Sequence, residues 1–203
     1  MCSIIGSYDK DKFIELLTLN RYRGSFSYSL TLYSEQEICT FKDFDSFNID
    51  LLDHAKPGDY LLGHCQAPTN GLVRDFDRIH PYETINLRLL HNGIIKTESV
   101  SSINSKLNSE YKWDTQALGE FIKDDFNLLS DIEGSFACVC IKNKQLYVFR
   151  NAISPLYMDS NCNISSTKFS GATMIEHNTV FQLLNREFIV VDSFNNQHNP
   201  YYF

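Results

Sequence analysis

Cys2 stands directly after the initiator methionine. Aminopeptidase removes Met1 readily when the second side chain is small, and the product carries a thiol and an α-amine on one residue. A free thiol titrates near ~8.5 and an α-amine near ~8, so the amine can accept the thiol proton around neutrality. Nucleophile and general base then share one carbon skeleton. Two further stretches bear chemistry. Gly63-His64-Cys65-Gln66-Ala67-Pro68-Thr69-Asn70-Gly71 ends an apolar run in a polar turn, the kind of strand-end loop where sites sit. His64 by itself reads more readily as a satisfied core histidine than as a catalyst. His91-Asn92-Gly93-Ile94-Ile95 carries an Asn-Gly pair. Such a pair marks a tight turn, or aims a side-chain amide and a backbone N–H at one spot, as an oxyanion hole requires. Tyr22-Arg23-Gly24-Ser25 follows an amphipathic run. Gly24 there is expected to end a helix in a left-handed conformation, with Arg23 as a favourable cation at the helix C-terminus.

The elements that must position these residues are mostly strands. Ser3–Tyr8 is short, apolar and β-compatible, with Cys2 at its head. Phe13, Leu16, Leu17 and Asn20 recur at helical spacing and predict a helix over Asp9–Asn20. Phe26–Tyr33 and Glu37–Phe41 read as paired strands around a polar turn. Asp59–Gln66 and Leu87–His91 read as buried strands. Ser99–Leu107 puts Val100, Ile103 and Leu107 on one helix face, and Asp114 is placed to cap a helix over Thr115–Leu129. Ser135–Ile141 and Gln145–Arg150 form a hairpin around Asn143, and Thr179–Leu184 and Glu187–Val191 are further short strands. The reading is one α+β domain over residues 1–203 with two sheets.

Composition bounds the function. The chain has 203 residues, 43% hydrophobic, with a net charge of −7. That is ample for a buried core and disfavours direct nucleic-acid binding by charge. No run of 18 apolar residues and no charged-then-apolar leader is seen, so neither membrane insertion nor secretion is expected. Cys2, Cys39, Cys65, Cys138, Cys140 and Cys162 are irregularly spaced, without a Cys-x-x-Cys pair. A reducing cytoplasm is expected rather than a disulfide framework or zinc site. Cys138 and Cys140 share a strand face and read as packing, as does Cys65 opposite His64. Asp124-Asp125 reads as a solvated helix face, and Trp113 either walls the site or packs beneath it.

Taken together, Met-Cys-Ser-Ile-Ile-Gly, Tyr22-Arg23-Gly24, Gly63-His64 with Thr69 and Gly71, His80-Pro81, His91-Asn92-Gly93-Ile94-Ile95 and Asp114-Thr115 resemble the class II glutamine amidotransferases. These are N-terminal-nucleophile hydrolases, and the glutaminase half of glucosamine-6-phosphate synthase is especially similar. Glu133-Gly134-Ser135-Phe136-Ala137, Phe149-Arg150 with Pro155-Leu156-Tyr157, and Ile164-Ser165-Ser166 extend the likeness. The resemblance implies a four-layer αββα sandwich and hydrolysis of the glutamine side-chain amide through a thioester on Cys2, with no cofactor and no metal. Asn92 and Gly93 would hold the oxyanion. Asp114 would grip the substrate α-amino group, Thr69 would line the glutamine pocket, and Arg23 would lie near the nucleophile in a structural role.

Two departures stand out. The family usually carries an arginine for the substrate α-carboxylate where this chain has Gln66, and an aspartate where it has Phe26. A neutral amide lacks the bidentate charge-assisted fork of arginine. Arg74, Arg78 and Arg88 are the nearby cations that could compensate. The partners expected are glutamine and an ammonia-accepting synthase on a separate chain. The alternatives are an N-terminal-nucleophile amidohydrolase acting on a different amide, and a non-catalytic partner-binding descendant.

Overall fold

The computed structural model describes residues 2–67 and 74–197. Its first strand, β1 (Ser3–Ser7), is buried throughout and runs directly into helix α1 (Lys10–Asn20). Asp9 caps α1 through its carboxylate, which accepts from the Lys12 N–H. The buried residues of α1 are the four expected from spacing: Phe13, Leu16, Leu17 and Asn20. Strands β2 (Ser27–Tyr33), β3 (Ile38–Phe44) and β4 (Tyr60–Gln66) follow. Next come β5 (Tyr82–Glu83), β6 (Leu87–Ile95), and helices α2 (Thr97–Leu107) and α3 (Asp114–Ile122). The chain continues through β7 (Gly134–Lys142), β8 (Gln145–Arg150), β9 (Tyr157–Met158), β10 (Ile164–Ser165), β11 (Thr173–Met174), β12 (Thr179–Leu184) and β13 (Glu187–Ser193).

Two antiparallel sheets result. One has the order β11-β9-β10-β1-β4-β2-β3, the other β13-β12-β8-β7-β6-β5. The hairpin β7–β8 turns through Asn143 and Lys144, both at positive φ, and β12–β13 turns through Asn185 and Arg186 likewise. That is the two-residue turn whose twist matches antiparallel strands, and asparagine tolerates its backbone.

Side-chain alternation along the strands sorts the apolar residues into three layers. Ile4, Tyr60, Leu62, Leu90, Ala137, Val139 and Val148 pack between the sheets. Ile5, Leu30, Leu61 and Cys65 point the other way, onto Phe13, Leu16 and Leu17 of α1. Phe136, Cys138 and Cys140 face Leu118, Phe121 and Ile122 of α3 and Ile103 of α2. One outer face of the sandwich is thus covered by α1 and the other by α2 and α3, giving four αββα layers. Cys138 and Cys140 do share a face, and Cys65 lies opposite His64 as packing. All six thiols are free.

Four expectations are corrected. The helix over Thr115–Leu129 stops at Ile122, and a separate 3-10 turn runs over Phe126–Asp131. Asp125 breaks the helix because its side chain takes the Asn127 N–H, a local bond that competes with helix continuation. Asp124 and Asp125 are exposed, but in this break rather than on a helix face. Phe126 and Leu129 remain buried, so the apolar period outlasts the helix that suggested it. Leu107, at the end of α2, is 38% exposed, while Ile103 is buried. Asp114 is the first residue of α3 rather than its cap, a position held by Trp113 without a side-chain bond.

No helix among the described residues is long and apolar enough to cross a membrane. Among the described residues no group of three or more His, Cys, Asp or Glu is arranged to hold a metal ion. The layering makes a direct prediction. Leu62→Ala, in the layer between the sheets, should cost about 2–5 kcal/mol in urea-induced unfolding. A loss under about 1 kcal/mol would contradict the assignment of that layer.

Candidate active site

Cys2 lies at the head of β1, which is hydrogen-bonded to β4 on one side and β10 on the other. The pairing Ser3↔Cys65 brings residue 2 level with the end of β4. The Cys2 thiol is buried and donates to the Ala67 carbonyl at 3.5 Å. Arg23, closing the 3-10 turn after α1, donates from Nε to the Cys2 carbonyl at 3.1 Å. Burial pushes the thiol above its ordinary value, the Asp114 carboxylate reinforces this, and the Arg23 charge acts against it. Cys2, Arg23 and Asp114 are therefore within electrostatic reach of one another.

Gly24 is not left-handed; its φ of −161° is extended. It is glycine for another reason. A Cβ there would lie 2.6 Å from the Gln66 carbonyl carbon and 2.7 Å from the Cys65 oxygen. The close approach of this turn to the end of β4 seats Arg23 beneath Cys2.

Asn92 and Gly93 lie within β6, which runs on to Ile95 rather than turning at the Asn-Gly pair. Gly93 has φ of +156°, and a Cβ on it would fall 1.9 Å from the Ser135 carbonyl oxygen. The glycine is required by a strand pressed onto β7, not by a reversal of the chain. Asn92 is buried, and its Nδ2 donates to Ser166 Oγ at 3.2 Å. Asp114 ties the start of α3 to the same strand: Oδ2 accepts from the Ile95 N–H at 3.2 Å and Oδ1 from the Thr115 N–H at 2.8 Å.

Gln66 is turned inward. Its Oε1 accepts from the Ser27 hydroxyl at 2.8 Å, and its Nε2 donates to the Arg78 carbonyl at 3.1 Å. The amide braces β4 against β2 and against the segment before Pro81. Each of the three candidate replacement cations has an acidic partner: Arg74 pairs with Asp45, Arg78 with Asp75 and Arg88 with Glu83. Arg78 and Trp113 line a cleft of about 670 Å³ together with Lys42, Tyr82, Lys112 and Gln116. Trp113 both walls this cleft and packs its ring edge-on against His80, 5.1 Å between centroids. Thr69 lies outside the described residues.

Behind the site is a buried polar cluster. His64 stacks on His80 at 4.0 Å and donates from Nε2 to the His91 carbonyl at 3.1 Å. His91 donates from Nε2 to the Ser135 carbonyl, which leaves Nδ1 to accept from the Thr115 hydroxyl. Thr115 Oγ1 in turn accepts from His80 Nε2 at 3.0 Å. His80 Nδ1 is buried without a partner, so a proton there would find no acceptor. Burial drives His64 down to about 3 and His80 well below its ordinary value. His64 is thus the satisfied core histidine that the bland reading of the sequence gives. Thr115 and Ser166 carry no role in the sequence reading, although both stand in its motifs. Nothing in linear spacing shows that one hydroxyl joins two distant histidines, or that the other joins two sheets.

No protein-family model matches the chain. It is 26% identical, over 90% of its length, to a glutamine–fructose-6-phosphate aminotransferase (isomerizing) from Helicobacter pylori strain J99. The chain spans 36% of that protein. Among solved structures, it superposes on a glutamine phosphoribosylpyrophosphate amidotransferase from B. subtilis with a TM-score of 0.70 and 16% identity. The match covers 94% of this chain and 49% of that one. A glutamine aminotransferase class-II domain protein from Silicibacter pomeroyi gives 0.54 at 12% identity, covering 95% and 98% of the two chains. The chain resembles the class II glutamine amidotransferases in sequence and has the fold of those solved structures.

Two measurements follow from the buried groups. A histidine whose pKa is depressed by folding is neutral in both states at pH 7. Below about 6.5 the unfolded chain takes a proton that the folded chain refuses, so stability falls as pH drops from there towards the folded value of about 3. For His64 this amounts to about 2 kcal/mol lost between pH 7 and pH 5. Urea unfolding of His64→Gln should show a correspondingly flatter pH dependence, and an unchanged slope would refute the assignment. In protein that retains Met1, iodoacetamide should alkylate Cys2 at half its limiting rate only above the ordinary thiol value of 9.0. A half-limiting pH at or below that ordinary value would contradict the effect of burial on the thiol.

Proposed function

We propose that this chain, as one type-2 glutamine amidotransferase domain over residues 1–203, hydrolyses the side-chain amide of glutamine and supplies the ammonia to a synthase on a separate chain. With Met1 removed, the Cys2 thiol attacks the amide carbon as its own α-amine takes the thiol proton, which then passes to the departing amide nitrogen as ammonia leaves. Asn92 Nδ2 and the Gly93 N–H receive the oxyanion. Water then releases glutamate from the thioester. Asp114 holds the substrate α-ammonium, Thr69 and Gln66 border the glutamine pocket, and Arg23 fixes the backbone that bears the nucleophile. The reaction needs no metal or cofactor, and a cytoplasmic setting suits a free thiol nucleophile.

The observation that carries this reading is the placement of Cys2. It is a free cysteine at position 2, buried at the head of a central strand, with Asn92 of the facing sheet bonded to a residue that also clamps that strand. Position two is what gives such a cysteine an α-amine of its own.

One observation favours a second reading. The Gln66 amide is committed to Ser27 and Arg78, so the place where a charged fork would meet the α-carboxylate is filled by an internal brace. An amide substrate without a free α-carboxylate would find the same nucleophile and oxyanion donors and would not need that cation.

The decisive assay is glutamate release from L-glutamine by Met1-processed protein, with Cys2→Ala as control. Release that disappears in the variant supports the glutaminase. Release that persists in Cys2→Ala rules out the Cys2 mechanism, and no release from glutamine beside turnover of an α-carboxyl-blocked glutamine amide establishes the second reading.

A further inference from the structure

Ser166 sits one residue beyond β10 and is buried at 1% exposure. Its backbone N–H donates to the Ile4 carbonyl at 2.9 Å, extending the β1–β10 ladder towards Cys2. Its side chain makes two more bonds. Oγ accepts from the Ile4 N–H at 2.9 Å and from Asn92 Nδ2 at 3.2 Å. A hydroxyl oxygen has two acceptor positions, and both are filled. The first donor belongs to the seven-stranded sheet, two residues from Cys2. The second belongs to β6 of the six-stranded sheet. One oxygen therefore joins the nucleophile's strand to the side-chain amide on the opposite sheet.

The consequences are geometric. An asparagine carboxamide rotates about its last torsion with a broad, roughly two-fold preference. With one Nδ2 hydrogen pinned to Ser166, the amide presents the NH₂ end on that side, and its second hydrogen has a fixed direction. Because Ser166 is itself locked to Ile4 from both its backbone and its side chain, that direction is referenced to the strand carrying Cys2. Oxyanion donors act by pre-set aim rather than by strength of contact, and a misplacement of about 1 Å can cost a hundredfold in rate.

We propose that Ser166 is a positioning residue of the site, which aims the Asn92 amide and sets its distance from Cys2 through the shared hydrogen bond. Its effect on turnover rests on the glutaminase reading, whereas the aiming of Asn92 does not.

The test compares wild-type protein with Ser166→Ala and with Ser166→Thr, which keeps the oxygen. For glutamate release from glutamine, Ser166→Ala should lower kcat about ten- to a hundredfold with KM moved less than about threefold, and Ser166→Thr should restore most of it. In an Asn92→Ala background the Ser166→Ala change should cost less than about threefold more, since the two act as one unit. A kcat for Ser166→Ala within about twofold of wild type, or a full additional loss in the Asn92→Ala background, would overturn the assignment. If wild-type protein with Met1 removed is silent on glutamine, the glutaminase reading is what has failed. The positioning role is then decided by nuclear magnetic resonance of the Asn92 side-chain NH₂. Solvent exchange at least about tenfold faster in Ser166→Ala supports it, and unchanged exchange overturns it.

Discussion

The structure depends on holding the second residue of a chain still. Termini fray because they have neighbours on one side only and nothing beyond to anchor them. Here the terminal strand is placed in the interior of a sheet, with β4 on one edge and β10 on the other, so the backbone of residues 3–7 has partners on both flanks. Arg23 adds a side-chain bond to the Cys2 carbonyl. Gly24 lets that turn approach β4 closely, and the Ser166 clamp fixes Ile4. The order of strands follows from the same demand. A strand that starts the chain can be central only if later strands fold back on both sides of it, and β4 and β10 come from distant parts of the sequence.

A second constraint is polar. Most of the layer between the sheets is apolar, built from Ile4, Leu62, Leu90, Val139, Val148 and their neighbours. At the site that layer gives way to His64 and Asn92, with Ser166 beside them, while His91, level with Cys138 on the face towards α3, joins Thr115 and His80 in a buried polar group. Burying this many polar groups is tolerable only if they satisfy one another. The chain of bonds from Ser135 through His91 and Thr115 to His80 does so, with His80 Nδ1 left buried without a partner. Such a network has few alternative arrangements, because each tautomer dictates the next. It therefore holds β4, β6 and the start of α3 in one relative position more sharply than interchangeable apolar contacts could.

Much of this was legible in the sequence where a local period or a single steric rule decides the outcome. The buried face of α1 follows from residues three and four apart, and the shared face of Cys138 and Cys140 follows from strand alternation. The sequence reading fails where a residue answers to a distant part of the chain. Gly24 reads as a left-handed helix stop, but it is extended and small because the main chain of residues 65–67 passes against it. Gly93 reads as a turn, but it is a glycine because Ser135 crosses within the space of a Cβ. Asp114 has the position of a cap by one residue, yet its carboxylate is drawn to the Ile95 N–H instead. Spacing alone makes Arg23 a cation after a helix; the resemblance sets it near Cys2, and only the folded chain shows its bond to the Cys2 carbonyl. Gln66 is visible as a departure, but only the folded chain shows its amide turned onto Ser27 and Arg78.

The buried cluster also narrows the chemistry open to Cys2. A cysteine beside histidines invites the reading of a thiolate–imidazolium pair, and three histidines lie close behind this site. None is disposed to that task. His64, driven down to about 3, is too weak a base to draw a proton from a thiol whose own affinity burial has raised. His80 is pushed the same way, and both ring nitrogens of His91 are already engaged by Ser135 and Thr115. The Asp114 charge raises the thiol further, while Arg23 only offsets part of this. A buried, protonated thiol with no side-chain base at hand needs its base from the main chain. The α-amine of residue 2 is the group of suitable strength that removal of Met1 would create on the thiol's own residue. On the proposed glutaminase reading that amine is the base, and the histidines belong to the architecture that keeps Cys2 in place.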